Sequence, residues 1–465
     1  MNKFYSKLPV LLLVLGGILR ISGAGSAAIW YDESITLYRS GLPFMELISN
    51  KTELSGDILL DLLVRPFMAI DHHSLWLLRM PSLICGLVSL WLVFILMRHF
   101  KFNLIQQSIT SALVAFMPGL IWMGQDARTY SLLTCVFLAS IWFSINGRWL
   151  GMIACCGLMV YCHFIGVFYA ISSLAIALYL YQTKIKSILL SCVMILISWT
   201  PALIMIIQCG NNYQATAPWS PLTINRFLGS FLSAIWTTLQ TTWFILIALI
   251  LLIASVALIL SKHHWSTRII LLSGWAAPLI GMITFSLIFT SIVLYRTIMP
   301  ILFMFSIWLG WELGSSISAY RLILAGLWVW MLLAGLVFWN PADRGGRLDL
   351  VANQIRSNWH PGDSLVYTTI TTAFPFDYYL SDLSHQWNLV SNNLLLTNSS
   401  LKLPTKACDP NPCRRYWVVI PDEQYLYNLE DYQRINLLTQ GTEPIYSVHY
   451  MQAARINVYL VEVDK

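Results

Sequence analysis

The chain has 465 residues, 57% of them hydrophobic and 11% charged, with a mean hydropathy of +0.66 and a formal charge of +6 from 28 basic and 22 acidic side chains. A soluble domain carries about 25% charged residues, so this composition excludes a disordered chain, a nucleic-acid binder and an ordinary cytosolic enzyme. It describes a multispanning membrane protein, in which Lys and Arg report topology more than they report an anionic partner.

The first apolar run, Leu8–Ile21, ends at Gly23-Ala24-Gly25 and is read as span one rather than as a cleaved leader. A long loop, roughly 23–79, follows. Within it Trp30-Tyr31-Asp32-Glu33 sets two adjacent carboxylates about ten residues beyond the span. Further on, Asp57, Asp61 and Arg65 recur every four residues against Ile58, Leu59, Leu62 and Leu63. That spacing predicts a helix lying in the membrane interface with its polar stripe facing water, or else a short tilted span.

The membrane block is threaded by its basic residues. Lys3 and Lys7, Arg98 and Lys101, Arg148, Lys184 and Lys186, Lys262 and Arg268, and Arg321 all flank apolar runs. Setting all ten on the cytoplasmic side requires eleven spans, near 8–22, 80–97, 104–122, 130–146, 149–163, 164–181, 187–207, 236–260, 268–290, 297–316 and 321–339. The eight acids from Asp32 to Asp126 then all fall outside, and only Glu312 lies at an inner span end. A second outer loop, roughly 208–235, is rich in Trp, Pro and Asn.

Composition breaks at Asn340-Pro341. The remainder holds 13 of the 22 acids and no apolar run long enough to span. The predicted organisation is therefore a membrane domain over 1–340 and an extracytoplasmic α/β domain over 341–465, with the N-terminus cytoplasmic. In the tail, Leu348, Val351, Ala352, Ile355 and Trp359 fall at helical spacing. Pro361-Gly362-Asp363 makes a turn before a strand at Ser364–Thr369, and Tyr416–Ile420 and Ile456–Val463 read as further strands with a helix between. Of nine cysteines, seven lie in or beside spans as small packing residues. Cys408 and Cys413, in Cys-Asp-Pro-Asn-Pro-Cys, read as a disulfide rather than a metal site, worth about 2 kcal/mol on the loop-entropy account.

Three clusters could carry chemistry. The Asp32–Glu33 pair supplies a general base and an orienting or metal-binding carboxylate, or alternatively caps a helix starting near Ser34. In Gln125-Asp126-Ala127-Arg128-Thr129-Tyr130, Arg128 is the residue type that grips a phosphate with a planar, bidentate fork, or else pairs structurally with Asp126. Tyr295-Arg296 opens a later span and could complete the same anion site, or serve as an interfacial anchor. His163, at the outer end of span five, is a satisfied or interfacial histidine or else binds substrate, and Arg79 faces either the lipid headgroups or the active cavity. The threading puts all of them on one side of the membrane. That arrangement suits a substrate that is half lipid and half polar anion, such as a sugar carried on a polyprenyl phosphate.

These segments resemble the bacterial GT-C glycosyltransferases related to protein O-mannosyltransferases and the lipid A aminoarabinose transferase. The shared stretches are Tyr31-Asp32-Glu33, Leu77-Leu78-Arg79-Met80-Pro81-Ser82, and Met123-Gly124-Gln125-Asp126-Ala127-Arg128-Thr129-Tyr130-Ser131-Leu132. Tyr161-Cys162-His163-Phe164, Tyr295-Arg296 with Pro300, and Pro361-Gly362-Asp363 complete the set. The resemblance implies an inverting transferase of the cell inner membrane, with its active site on the outer face and juxtamembrane helices in its first loop. The donor would be a polyprenyl-phosphate sugar and the acceptor a lipid, glycan or protein. In those terms Asp32 is the general base, Glu33 and Asp126 assist, and Arg128 with Arg296 and Tyr295 binds the donor phosphate. No obligatory cofactor is implied, and divalent-metal dependence stays open. The family's His-Pro-Pro-Leu-Tyr is replaced here by Ser55-Gly56-Asp57-Ile58-Leu59-Leu60, so that any substrate-binding role of that His is unfilled or taken by Asp57, and the family's Glu beside the arginine is Asp126. The competing class is a transporter or flippase, which would set its charges near the membrane midplane.

Overall fold

A computed structural model describes residues 7–49, 58–213, 222–236, 265–289, 291–315, 318–337, 347–367, 370–380, 383, 387–389, 415–421, 446–450 and 454–462. In chain order the helices are α1 (Leu8–Ser22), α2 (Tyr31–Gly41), α3 (Phe44–Ser49), α4 (Ile58–Met68), α5 (Leu75–His99), α6 (Leu104–Phe116), α7 (Pro118–Gly124), α8 (Tyr130–Ile145) and α9 (Trp149–Cys162). There follow α10 (Gly166–Leu180), α11 (Ile185–Tyr213), α12 (Ile224–Trp236), α13 (Trp265–Ile288), α14 (Tyr295–Leu313), α15 (Ala319–Val337), α16 (Leu348–Ser357) and α17 (Ile370–Leu380). The strands are β1 (Ser364–Tyr367), β2 (Trp387–Leu389), β3 (Arg415–Pro421), β4 (Tyr446–Tyr450) and β5 (Ala454–Glu462). Two compact units result: Met1–Ala24 with Pro43–Asn340, and Gly25–Leu42 with Pro341–Lys465.

In the first unit, four described helices are long and apolar enough to cross a bilayer, and a fifth crossing is possible if the bent pair α6–α7 counts as one. α1, α8, α9 and α10 are apolar but shorter. With the composition, these helices make the chain a polytopic α-helical membrane protein. The predicted span at 236–260 lies almost wholly outside the described residues.

The interval read as one span over 104–122 is two helices meeting at 61°. Pro118 is the cause. It has no N–H to give to Val114, and it disfavours the helical conformation of the residue before it; Met117 accordingly sits at φ −71°, ψ 113°. The loop helix α4 also departs from its sequence reading. Its Asp61 does not face water but is buried on the same face as Leu60, Val64 and Met68, because α4 packs against α5 and α9.

α14 is the centre of the unit: every residue from Thr297 to Leu313 is buried, as expected of a helix apolar on all sides. Its C-terminal carbonyls are capped from α6. Asn103 and Gln106 form a reciprocal capping box, and their side-chain amides donate to the carbonyls of Gly314 and Trp311, both at 3.0 Å. At the same end Arg268 holds Glu312 in a two-pronged pair, Nε to Oε1 at 2.6 Å and Nη2 to Oε2 at 3.0 Å, with both side chains 1% exposed. Arg321 donates to the Glu312 carbonyl at 2.8 Å. The threading assigns these three residues to one membrane face, and the structure joins them. Arg268→Met leaves a buried carboxylate without its cation and should cost about 3–5 kcal/mol, seen as a lowered Tm in detergent. Arg268→Met with Glu312→Met should recover most of that loss.

The second unit holds a five-stranded sheet in the order β2-β1-β3-β5-β4. β1 runs parallel to β2 and β3, while β5 is antiparallel to β3 and β4. Leu348, Val351, Ala352 and Ile355 of α16 bury against Leu365, Tyr367, Phe376, Trp417, Val419 and Val458, with Trp359 at the margin. In the turn before β1, Asp363 accepts from the His360 amide at 3.0 Å and from Trp417 Nε1 at 2.9 Å. Burial, with the Asp377 carboxylate nearby, holds the Tyr367 hydroxyl protonated well above the usual phenol range. The segment 25–42 joins this unit through α17: the Ile29 amide donates to the Tyr379 hydroxyl at 2.8 Å, and the Tyr38 and Phe374 rings lie 5.3 Å apart.

Candidate active site

The Gln125–Arg128 motif forms the short connection between α7 and α8. Gln125 caps α7, its amide bonding the Trp122 carbonyl, and the Arg128 amide turns back to the Asp126 carbonyl at 2.7 Å. All five residues from Gln125 to Thr129 are buried. A buried loop must satisfy its polar groups internally, and three helices do so here. Gln125 Nε2 donates to the Leu19 carbonyl of α1 at 2.8 Å. Ser82 Oγ of α5 donates to the Arg128 carbonyl at 3.1 Å, and Ser131 Oγ returns to the Ser82 carbonyl at 2.7 Å. Thr129 Oγ1 donates to the Cys162 carbonyl at the end of α9. The backbone carrying Asp126 and Arg128 is thus bolted from three directions, which fixes where a guanidinium can present its fork.

Other candidates belong to the same unit. Arg79 stands one helical turn before Ser82, is fully buried, and donates to the Ala24 carbonyl at 2.7 Å. His163 follows α9 directly. Its ring lies 5.5 Å from that of Tyr130, and its Nδ1 accepts from the Ile165 amide at 3.2 Å, which puts the ring proton of the neutral form on Nε2. Tyr295, the first residue of α14, stacks on Trp122 at 5.5 Å and 28°, and the Arg296 guanidinium lies 5.8 Å from the Tyr295 ring centre. Arg79, Asp126, Arg128, His163, Tyr295 and Arg296 thus share one unit.

Asp32 and Glu33 belong to the other unit, in the first turn of α2. Two carboxylates there complement the helix dipole, and the N-cap residue Trp30 makes no side-chain cap. The two acids are not equivalent: Glu33 is fully buried while Asp32 is half-buried. Asp57, Cys408 and Cys413 lie outside the described residues. Among the described residues no group of three or more His, Cys, Asp or Glu side chains is placed to hold a metal ion.

Trp122, Ser82 and Thr129 were not singled out from the sequence. Ser82 and Thr129 stand inside the quoted motifs, and their spacing from Arg79 and Arg128 was the available signal. Nothing local marks Trp122, whose partner is 173 positions away by the numbering of Tyr295.

No protein-family model matches the chain, and no curated protein matches it. Solved structures do share its fold. ArnT from Cupriavidus metallidurans in the apo state superimposes with a TM-score of 0.61 at 12% identity, covering 97% of this chain and 97% of that one. ArnT from the same organism bound to undecaprenyl phosphate gives 0.58 at 13% identity, again covering 97% of each chain. The chain thus has an ArnT-like fold, in agreement with the resemblance read from its motifs.

Proposed function

We propose that this protein is a membrane glycosyltransferase that moves a sugar from a polyprenyl-phosphate-linked donor to an acceptor. The observation that carries the reading is the buried Asp126–Arg128 loop, set in a fold shared end to end with ArnT, one of whose structures holds undecaprenyl phosphate. The reaction is a single displacement at the anomeric carbon. The acceptor oxygen forms a bond to that carbon as its proton passes to Asp32. The bond to the lipid phosphate oxygen breaks, its electron pair leaves with the phosphate, and the anomeric configuration inverts.

Arg128 takes the charge that gathers on the departing phosphate, with Arg296 and Tyr295 alongside and Asp126 orienting the guanidinium. The unequal burial of the acids supports the division of labour: Asp32 retains exposure, and Glu33 orients it. Arg79, His163 and Asp57 are the further candidates for binding substrate. The acceptor is a lipid, glycan or protein of the cell envelope. The reaction takes place on the extracytoplasmic face of the inner membrane, with the N-terminus cytoplasmic and residues 341–465 outside.

The test uses detergent-solubilised protein, a radiolabelled polyprenyl-phosphate hexose or pentose, and envelope extract as acceptor. Label is expected to leave the lipid and enter the acceptor without a closed membrane. Intact donor in detergent, with net movement of donor across proteoliposomes, would assign transport instead.

A further inference from the structure

Arg20 was not among the residues that the sequence motifs brought forward, yet it is the one arginine set within α1 and is fully buried. An arginine in a membrane helix is costly unless something uses it. No carboxylate contacts it among the described residues. Its guanidinium instead donates to two backbone carbonyls: Nη1 to Gly16 of its own helix at 2.8 Å, and Nη2 to Val114 of α6 at 3.0 Å. Val114 is the residue whose helical partner would be the amide of residue 118. That residue is Pro118, which has none.

The side chain reaches Val114 through a slot made by glycines. A Cβ on Gly124 would lie 3.3 Å from Arg20 Cδ, one on Gly86 3.7 Å from it, and one on Gly16 3.3 Å from Nη1. Leu19, the preceding residue, offers its carbonyl to Gln125 Nε2. Two consecutive residues of α1 therefore hold both ends of the seven-residue α7: Arg20 at the break where it begins, Leu19 at the cap where it stops.

We infer that Arg20 is a positioning residue: its guanidinium replaces the amide missing at Pro118, fixes the bend between α6 and α7, and so sets the register of the Asp126–Arg128 loop. The functional half of this inference rests on the proposed role of that loop in holding the donor phosphate. The structural half does not.

A double-mutant cycle tests it, with Arg20→Met removing the donors and Pro118→Ala restoring an amide. Two readouts are taken on full-length protein in detergent: hydrogen exchange resolved along the chain, and binding of undecaprenyl phosphate. Arg20→Met should speed exchange of the amides of 119–129 about tenfold while α13 and α15 keep theirs, and weaken lipid-phosphate binding by a similar factor. Both effects should shrink in the Pro118→Ala background, and Arg20→Lys, which can still serve one carbonyl, should fall between. Should Arg20→Met fail to fold, recovery of folded protein by adding Pro118→Ala is the expected result, and no recovery overturns the inference. Wild-type protection of 119–129 in Arg20→Met, or a loss equal in both backgrounds, also overturns it. If wild-type protein does not bind undecaprenyl phosphate, the reading of Arg128 fails and the exchange result decides Arg20 by itself.

Discussion

Asp32→Asn should lower the rate of sugar transfer by about 10²–10⁴-fold, the span that a positioned general base contributes. The amide keeps the size and leaves α2 intact but cannot accept a proton, so donor KM should stay near the wild-type value while kcat falls. Glu33→Gln should behave differently. Glu33 is fully buried and Asp32 is not, so removing its charge alters how Asp32 is held rather than what takes the proton, and the loss in kcat should be the smaller of the two. Initial rates with labelled donor at saturating and limiting concentrations separate these outcomes. Asp32→Asn turning over at the wild-type rate would remove the base from the mechanism.

Arg128→Ala should cost about 10²–10³-fold in kcat, the range seen when one preorganised donor is taken from developing charge. Its carbonyl accepts from Ser82 Oγ, and the adjacent Thr129 Oγ1 donates to the Cys162 carbonyl, bonds that the substitution leaves in place, so the loop should keep its path and the protein its Tm. Arg128→Lys keeps the charge but loses the planar fork, and should recover only part of the rate. Arg296→Ala is expected to fall less far. A donor analogue with a better leaving group should narrow the gap between wild type and Arg128→Ala, because less charge then needs catching. An unchanged gap would mean that Arg128 acts elsewhere.

The parts of this molecule that were legible in sequence are those set by local pattern. Basic residues and the apolar runs between them located several helices of the first unit to within a few residues, as with 130–146 against Tyr130–Ile145 and 149–163 against Trp149–Cys162. The apolar face of α16 was visible for the same reason. What escaped was non-local. Hydropathy alone could not see that Pro118 bends the α6–α7 stretch, since apolar residues continue on both sides of it. The inward face of Asp61 depends on α5 and α9, not on its own four-residue repeat. Among the candidates, Arg79, Arg128 and His163 stand in motifs that the sequence itself displays. Trp122 and Arg20 act through partners far along the chain, and no spacing announces them.

One hydrogen bond also says something about the order in which the protein is made. The Ile29 amide reaches the Tyr379 hydroxyl, 350 positions downstream. Helix α2, which carries the two acids, therefore lacks its packing partner through most of synthesis, while the helices after it are already entering the bilayer. A ribosome that stopped near residue 340 would leave Asp32 and Glu33 on a segment without its α17 partner. Completion of the last quarter of the polypeptide is thus the event that finishes the packing of α2, and on the proposed function an early stop codon there should abolish sugar transfer without preventing insertion.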